Sequence, residues 1–162
     1  MNKAEVYHYL DEHNISYEVD EHQVVFNMEE LNFIELRYPE WVAKNLFIRD
    51  DKKHNYYLIT VKGDKRVDLK DFRKQHGLRA LSFASSNDLL VIMGLTPGSV
   101  TPLGILNDRE QKVHFYLDEE FAQNKIGIHP NDNTATVWMQ SDDLMNLIQK
   151  HGNEAEYVEV SG

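Results

Sequence analysis

Residues Gly94 to Gly104 read GLTPGSVTPLG, three glycines and two prolines in eleven positions, with hydroxyls at Thr96, Ser99 and Thr101. Neither a helix nor a strand runs comfortably through such a segment. Each proline removes a backbone donor and fixes φ, and each glycine adds conformational freedom that folding must remove. The segment is therefore a loop, with regular elements on either side. Pro97 and Pro102 stiffen it, and its exposed N–H groups suit a ligand oxygen held in fixed geometry. The plain alternative is a tight helix-to-strand connection. Neither phosphate-cradling pattern, GxxxxGK[ST] or GxGxxG, is present.

Around this loop the hydrophobic spacing alternates between helix and strand. Asn2–His13 carries Val6, Tyr7 and Leu10 at helical spacing, and Ile15–Asp20 alternates as a strand. Asn27 is placed to cap a helix over Met28–Arg37, stopped by Tyr38–Pro39. Trp41–Arg49 and Tyr56–Val61 predict a hairpin across DDKKHN. Asp68–His76 reads as a helix closed by Gly77. Leu81–Ala84 reads as a strand, and Ser85 or Ser86 caps a helix over Asn87–Met93. Beyond the loop, Leu103–Leu106 and Val113–Leu117 suggest a second hairpin. Asp118–Asn124 suggests a helical turn, Ile126–His129 and Thr134–Met139 two strands, and Asp142–Lys150 a last helix capped by Ser141. The expectation is one α+β domain over residues 1–162, with a mixed, largely antiparallel sheet flanked by helices.

Composition narrows the function. A net charge of −10 argues against a broad grip on nucleic acid, since that requires lysine and arginine to displace counterions. A small contact to one nucleic-acid end, a small-molecule substrate and a protein partner all stay open. Cysteine is absent, so thiol nucleophiles and thiolate metal sites are excluded, as suits a cytoplasmic protein. No HExxH pattern occurs, and no apolar run approaches the ~18 residues of a membrane span. Neither a metal nor a cofactor is expected. Ser99 lacks the strand–turn–helix setting of a GxSxG nucleophile.

Two further residues stand out. Strict alternation puts Lys44 on one face of its strand with Val42, Leu46 and Ile48, where a cation either snorkels at a sheet edge or borders a pocket. Asn45 falls on the other face and would need a bulge to reach the same pocket. His129 ends an apolar strand at the rigid turn before Pro130, a place where binding residues are often displayed.

Five segments occur in order: AKNLFIRD at Ala43–Asp50, GDKRVDLK at Gly63–Lys70, LSFAS at Leu81–Ser85, GLTPGSVTPLGI at Gly94–Ile105 and IGIHPNDNTATV at Ile126–Val137. Together they resemble the YbaK-type aminoacyl-tRNA editing domains, in particular the free-standing ProX or PrdX deacylases associated with prolyl-tRNA synthetase. The resemblance covers nearly the whole chain. It implies trans-editing, the hydrolysis of alanyl-tRNA(Pro) without a metal. It also implies catalytic roles for Lys44, Gly98 and His129, and an aminoacyl pocket including Phe26, Asn27, Asn45, Gly94, Pro97, Ser99 and Val100. The implied partner is the acceptor end of mischarged tRNA(Pro), with prolyl-tRNA synthetase or an elongation factor as protein partners. A positive φ is expected at Gly98. Phe26–Asn27 and IHPNDNTAT depart from the common family pattern, which leaves cysteinyl-tRNA(Pro) as an alternative substrate. A non-catalytic module binding an amino acid or the synthetase is the other reading.

Overall fold

The computed structural model describes residues 1–24, 28–31 and 34–161. In chain order the helices are α1 (Lys3–Glu12), α2 (Met28–Leu31), α3 (Leu69–His76), α4 (Ser86–Met93) and α5 (Ser141–His151). The strands are β1 (Tyr17–Glu21), β2 (Ala43–Asp50), β3 (Tyr56–Lys62), β4 (Leu81–Phe83), β5 (Val113–Asp118), β6 (Lys125–Ile128), β7 (Ala135–Gln140) and β8 (Ala155–Val158). They form two sheets. One is antiparallel, in the order β1-β7-β6; the other is mixed, in the order β4-β2-β3-β5-β8. In the second, β2 pairs antiparallel with β3 and β4, whereas β3–β5 and β5–β8 are parallel.

Local signals fix most helix ends. The Asn2 side chain accepts from the Glu5 amide while Glu5 reaches back to the Asn2 amide, a reciprocal cap on α1. Asp68 caps α3 and Ser85 caps α4, and Gly77 and Gly94 close those helices in the left-handed conformation. The main core gathers Val6 and Leu10 from α1, Met93 from α4, Leu144 and Ile148 from α5, and inward residues of both sheets such as Phe47, Leu58, Phe115 and Val137. A second cluster sits on the opposite face of the mixed sheet, where Phe72 of α3 meets Ile48, Ile59, Val61 and Tyr116.

Four sequence expectations are corrected. The mixed and the antiparallel strands form two sheets rather than one. Leu103–Leu106 is not a strand but part of a 3-10 turn over Pro102–Asn107, started by the Thr101 side chain and buried throughout Pro102–Leu106. The connection into β5 can then be a crossover, and β5 pairs parallel to β3. Among the described residues the helix expected over Met28–Arg37 covers Met28–Leu31, and Ile34–Tyr38 is irregular. There Arg37 bonds the carboxylates of Asp20 and Glu18 on β1, and Tyr38 donates to Glu18, so partners on the sheet outweigh local helix propensity. Ser141 lies inside α5 instead of capping it, and its hydroxyl donates to the Phe121 carbonyl at 2.5 Å.

The sheets meet where β2 begins, through a parallel bridge between Val42 and Gly127. Gly127 has no room for a side chain, because an added Cβ would lie 2.3 Å from Trp138 Cζ3. Gly127→Ala should therefore lower unfolding stability by about 1–3 kcal/mol through overpacking. Urea denaturation measures this; a midpoint equal to that of the parent would mean that Trp138 swings aside freely.

Candidate functional site

The glycine- and proline-rich loop leaves α4 at Gly94, whose φ of 66° ends the helix and whose added Cβ would lie 3.2 Å from Asn107 Nδ2. Leu95 then plugs into the core, and Pro97–Ser99 forms a short 3-10 turn. The turn is closed by the Ser99 amide donating to the Thr96 carbonyl at 2.9 Å. Gly98 sits in the middle of that turn. The positive-φ glycines among the described residues are Gly77, Gly94 and Gly152, so the left-handed requirement expected at Gly98 falls at Gly94 instead.

Two side chains pin the far half of the loop to different sheets. Thr60 on β3, fully buried, donates to Asn45 Oδ1 at 2.6 Å, and Asn45 Nδ2 donates to the Val100 carbonyl at 3.3 Å. Next along the chain, the buried Thr101 hydroxyl donates to the His129 carbonyl at 2.7 Å. The loop is thereby fastened to the mixed sheet through Asn45 and to the strand end of β6 through Thr101.

The His129 ring is fixed in turn. Its Nδ1 lies 2.9 Å from the Ala135 carbonyl. A carbonyl can only accept, so Nδ1 carries the proton and Nε2 of the neutral ring is an acceptor. Burial pushes the His129 pKa below its ordinary value; the Ala135 bond opposes that shift and His22 adds to it. The His22 ring stands edge-on to it at 6.2 Å, with Nδ1 on the Gln23 carbonyl and Nε2 on the Thr136 hydroxyl at 3.0 Å.

Asn45, Ser99, Val100 and His129 thus come together around the loop, with Pro97 exposed at its crest and Gly98 beside it. Lys44 does not join them on that face. The β2–β3 register is unbroken from Ala43 to Arg49, so no bulge rotates Lys44 and Asn45 to one side. Lys44 instead donates from Nζ to the Lys65 carbonyl at 3.0 Å. Phe26 and Asn27 lie outside the described residues. Sequence reasoning missed Thr60, Thr136 and His22, and noticed Thr101 only as one hydroxyl of the loop. A threonine in the apolar run YYLITV was the available signal for Thr60. Among the described residues no group of three or more histidine, aspartate or glutamate side chains could hold a metal ion, and no helix is long and apolar enough to cross a membrane.

Residues 22–147 match the model of the aminoacyl-tRNA editing domain. The chain belongs to the aminoacyl-tRNA editing domain family. As a member it is an ester hydrolase acting on aminoacyl-tRNA. It is 36% identical over 152 residues to the prolyl-tRNA editing protein ProX of Acetoanaerobium sticklandii, covering 93% of each chain. It is 33% identical over 157 residues to the prolyl-tRNA synthetase associated domain-containing protein 1 of Mus musculus, covering 94% of this chain and 92% of that one. A crystal structure of a candidate trans-editing enzyme for prolyl-tRNA synthetase superposes with a TM-score of 0.70 at 19% identity, covering 100% of this chain and 98% of the other. That last likeness shows the fold alone: the editing domain here has the same arrangement of mixed sheet and helices.

The depressed His129 pKa carries a sign for stability. The unfolded chain binds a proton at His129 near the ordinary 6.5 and the folded chain only at lower pH. Stability from this group is therefore complete above about 6.5 and declines as pH falls from there toward the folded value. His76, half-buried against Phe72 and Tyr116, is depressed for the same reason. In chemical denaturation between pH 7.5 and 5.5, His129→Gln should flatten the loss of stability, though only in part. An unchanged slope would show that the imidazole is solvated in the native state.

Proposed function

We propose that the protein removes alanine from mischarged alanyl-tRNA(Pro), acting in trans on the acceptor end in the cytoplasm. The observation that carries this reading is the doubly pinned loop Thr96–Thr101 within a chain of the editing family. A wall held by Asn45 and Thr101 yields little, so a side chain larger than alanine is excluded by overlap. Exclusion of this kind discriminates more strongly than a large pocket does against a small guest, which is the weakness of a synthetase pocket built for proline. The relatives named for prolyl-tRNA editing and prolyl-tRNA synthetase association favour tRNA(Pro), with the synthetase or an elongation factor as protein partners.

The chemistry assigned is addition of water to the ester carbonyl. The carbonyl oxygen gains charge as the tetrahedral intermediate forms. The acyl carbon–ribose oxygen bond then breaks, and the ribose oxygen takes a proton to leave free tRNA and alanine. A donor is needed where the oxyanion develops. Gly98 supplies the fitting one: in a 3-10 turn begun at Pro97, its amide precedes the first internal bond, which is made by Ser99. Gly98 leaves that amide approachable. The His129 carbonyl accepts one bond, from Thr101, and has a second lone pair for the substrate ammonium. Lys44 projects from the opposite face of β2 with one hydrogen bond and two donors to spare, which suits a terminal phosphate better than the ester itself.

Release of amino acid from alanyl-, cysteinyl- and prolyl-tRNA(Pro) tests the substrate. The alanyl ester should be cleaved fastest and the prolyl ester left largely intact, with the rates unchanged by EDTA once tRNA folding is controlled. Equal rates on alanyl and prolyl esters would remove the size-exclusion argument, and loss in EDTA restored by zinc would remove the metal-free chemistry.

Variants separate the roles. Gly98→Val should cost about 100- to 1000-fold in kcat by displacing the oxyanion donor. Ser99→Ala should stay near the parent rate, and Lys44→Ala should lose about 10- to 100-fold, the worth of a charge-assisted hydrogen bond. An inactive Ser99→Ala beside an active Gly98→Val would instead mean a serine nucleophile, with a trappable aminoacyl-enzyme.

A further inference from the structure

Upstream of β2 the chain makes one 3-10 turn, Pro39–Trp41, closed by the Trp41 amide on the Tyr38 carbonyl at 2.9 Å. Its two aromatic rings each carry a lysine. Lys62 Nζ stands 4.6 Å from the centre of the Trp41 ring, and Lys125 Nζ stands 4.6 Å from the centre of the Tyr38 ring. The lysines come from different sheets: Lys62 ends β3 and Lys125 starts β6. Two connections bring them to the same place. Lys62 is the register partner of Ala43, on the sheet face that carries Asn45, and Val42 bridges to Gly127, two residues after Lys125.

Lysines such as Lys52, Lys70 and Lys150 are exposed, whereas Lys62 and Lys125 are half-buried on ring faces, with neither Nζ in an ion pair or a hydrogen bond among the described residues. Carboxylates are close, but they are engaged elsewhere. Glu120, which senses the charge of Lys62, is held by Lys65 at 2.9 Å. Glu18, which senses Lys125, is held by Arg37 at 2.7 Å and by the Tyr38 hydroxyl at 2.8 Å. Each ammonium therefore rests on a ring face with its donors available. All four side chains are half-buried, so the rings are fixed and the cations reachable.

We propose that Lys62 on Trp41 and Lys125 on Tyr38 form the binding surface for the phosphates of a single-stranded RNA end. The proposal rests on the editing reading for the identity of the RNA, the acceptor strand that carries the ester. The chemistry is general. Lysines are point charges for phosphate, and every nucleotide carries a phosphate whatever its base, so such contacts have no sequence preference. A compact patch of this kind reconciles an acidic protein with a polyanionic partner, since only the strand end needs to be touched. The rings also hold the two ammonium groups in place before binding, which lowers the entropy lost on contact.

The test uses Lys62→Gln and Lys125→Gln, singly and together, in the full chain, with thermal melting to confirm the fold. Dissociation constants for uncharged tRNA(Pro) are measured across salt concentrations. Rates are measured on alanyl-tRNA(Pro) and on 3′-O-alanyl-adenosine, which has the ester but no upstream phosphates. The double variant should bind tRNA roughly tenfold more weakly at low salt, and each lysine removed should reduce the salt slope by about 0.7. Its kcat/KM should fall on alanyl-tRNA(Pro) through KM and stay at the parent level on alanyl-adenosine. Unchanged affinity and salt slope would overturn the proposal, and so would equal losses on both esters, which would mean a general disturbance of the site. A parent protein that binds tRNA with this salt dependence yet cleaves neither ester would defeat the editing reading while leaving the surface in place.

Discussion

The amide of Asn45 is the constraint on which the site depends. It stands half-buried on the same face of β2 as the core residues Ala43 and Phe47, where an unbonded polar group would carry a cost. Both ends of the amide are satisfied, by the Thr60 hydroxyl and the Val100 carbonyl. Sheet and loop are consequently one unit. Within Thr96–Thr101 Val100 is the hydrophobic side chain packed on the core, so the shape of this stretch follows from where these polar bonds hold it. Thr101 repeats the device one residue later, against the opposite sheet. Two adjacent residues tied to two sheets leave the turn before them, Pro97–Ser99, little freedom to adjust.

Much of the fold was readable because its signals are local. Capping side chains and left-handed glycines set the ends of α1, α3 and α4, and the polar cluster between β2 and β3 marked the hairpin. What could not be read depended on partners far away in sequence. Arg37 and Tyr38 leave helical geometry because carboxylates on β1 bond them, and nothing within Met28–Arg37 announces that. Leu103 and Ile105 look like an alternating strand, yet both are fully buried in a 3-10 turn. β8 hides in the acidic tail NEAEYVEV, whose alternation is masked by charge.

The candidate site divides in the same way. The loop was visible from glycine and proline alone, and the opposite phasing of Lys44 and Asn45 follows from alternation and persists in the unbroken register. The ties that give the loop its shape, Thr60 to Asn45 and Thr101 to His129, join positions 15 and 28 residues apart, and no pattern in one sequence reveals them. The His129 carbonyl, already bonded by Thr101, and the ring, held by Ala135, also show why a histidine in this turn can matter through backbone placement while its imidazole stays neutral.

The central claim is that the backbone of the pinned turn faces the substrate ester. Amide chemical shifts of the labelled protein, followed during titration with the non-hydrolysable amide analogue 3′-deoxy-3′-alanylamino-adenosine, test it most directly. The account predicts the largest shifts at Gly98, Val100 and His129, all strongly reduced when Asn45→Ala frees the loop. Shifts centred elsewhere, for instance on Asn107–Lys112 beside α4, with Gly98 and Val100 unmoved, would contradict it.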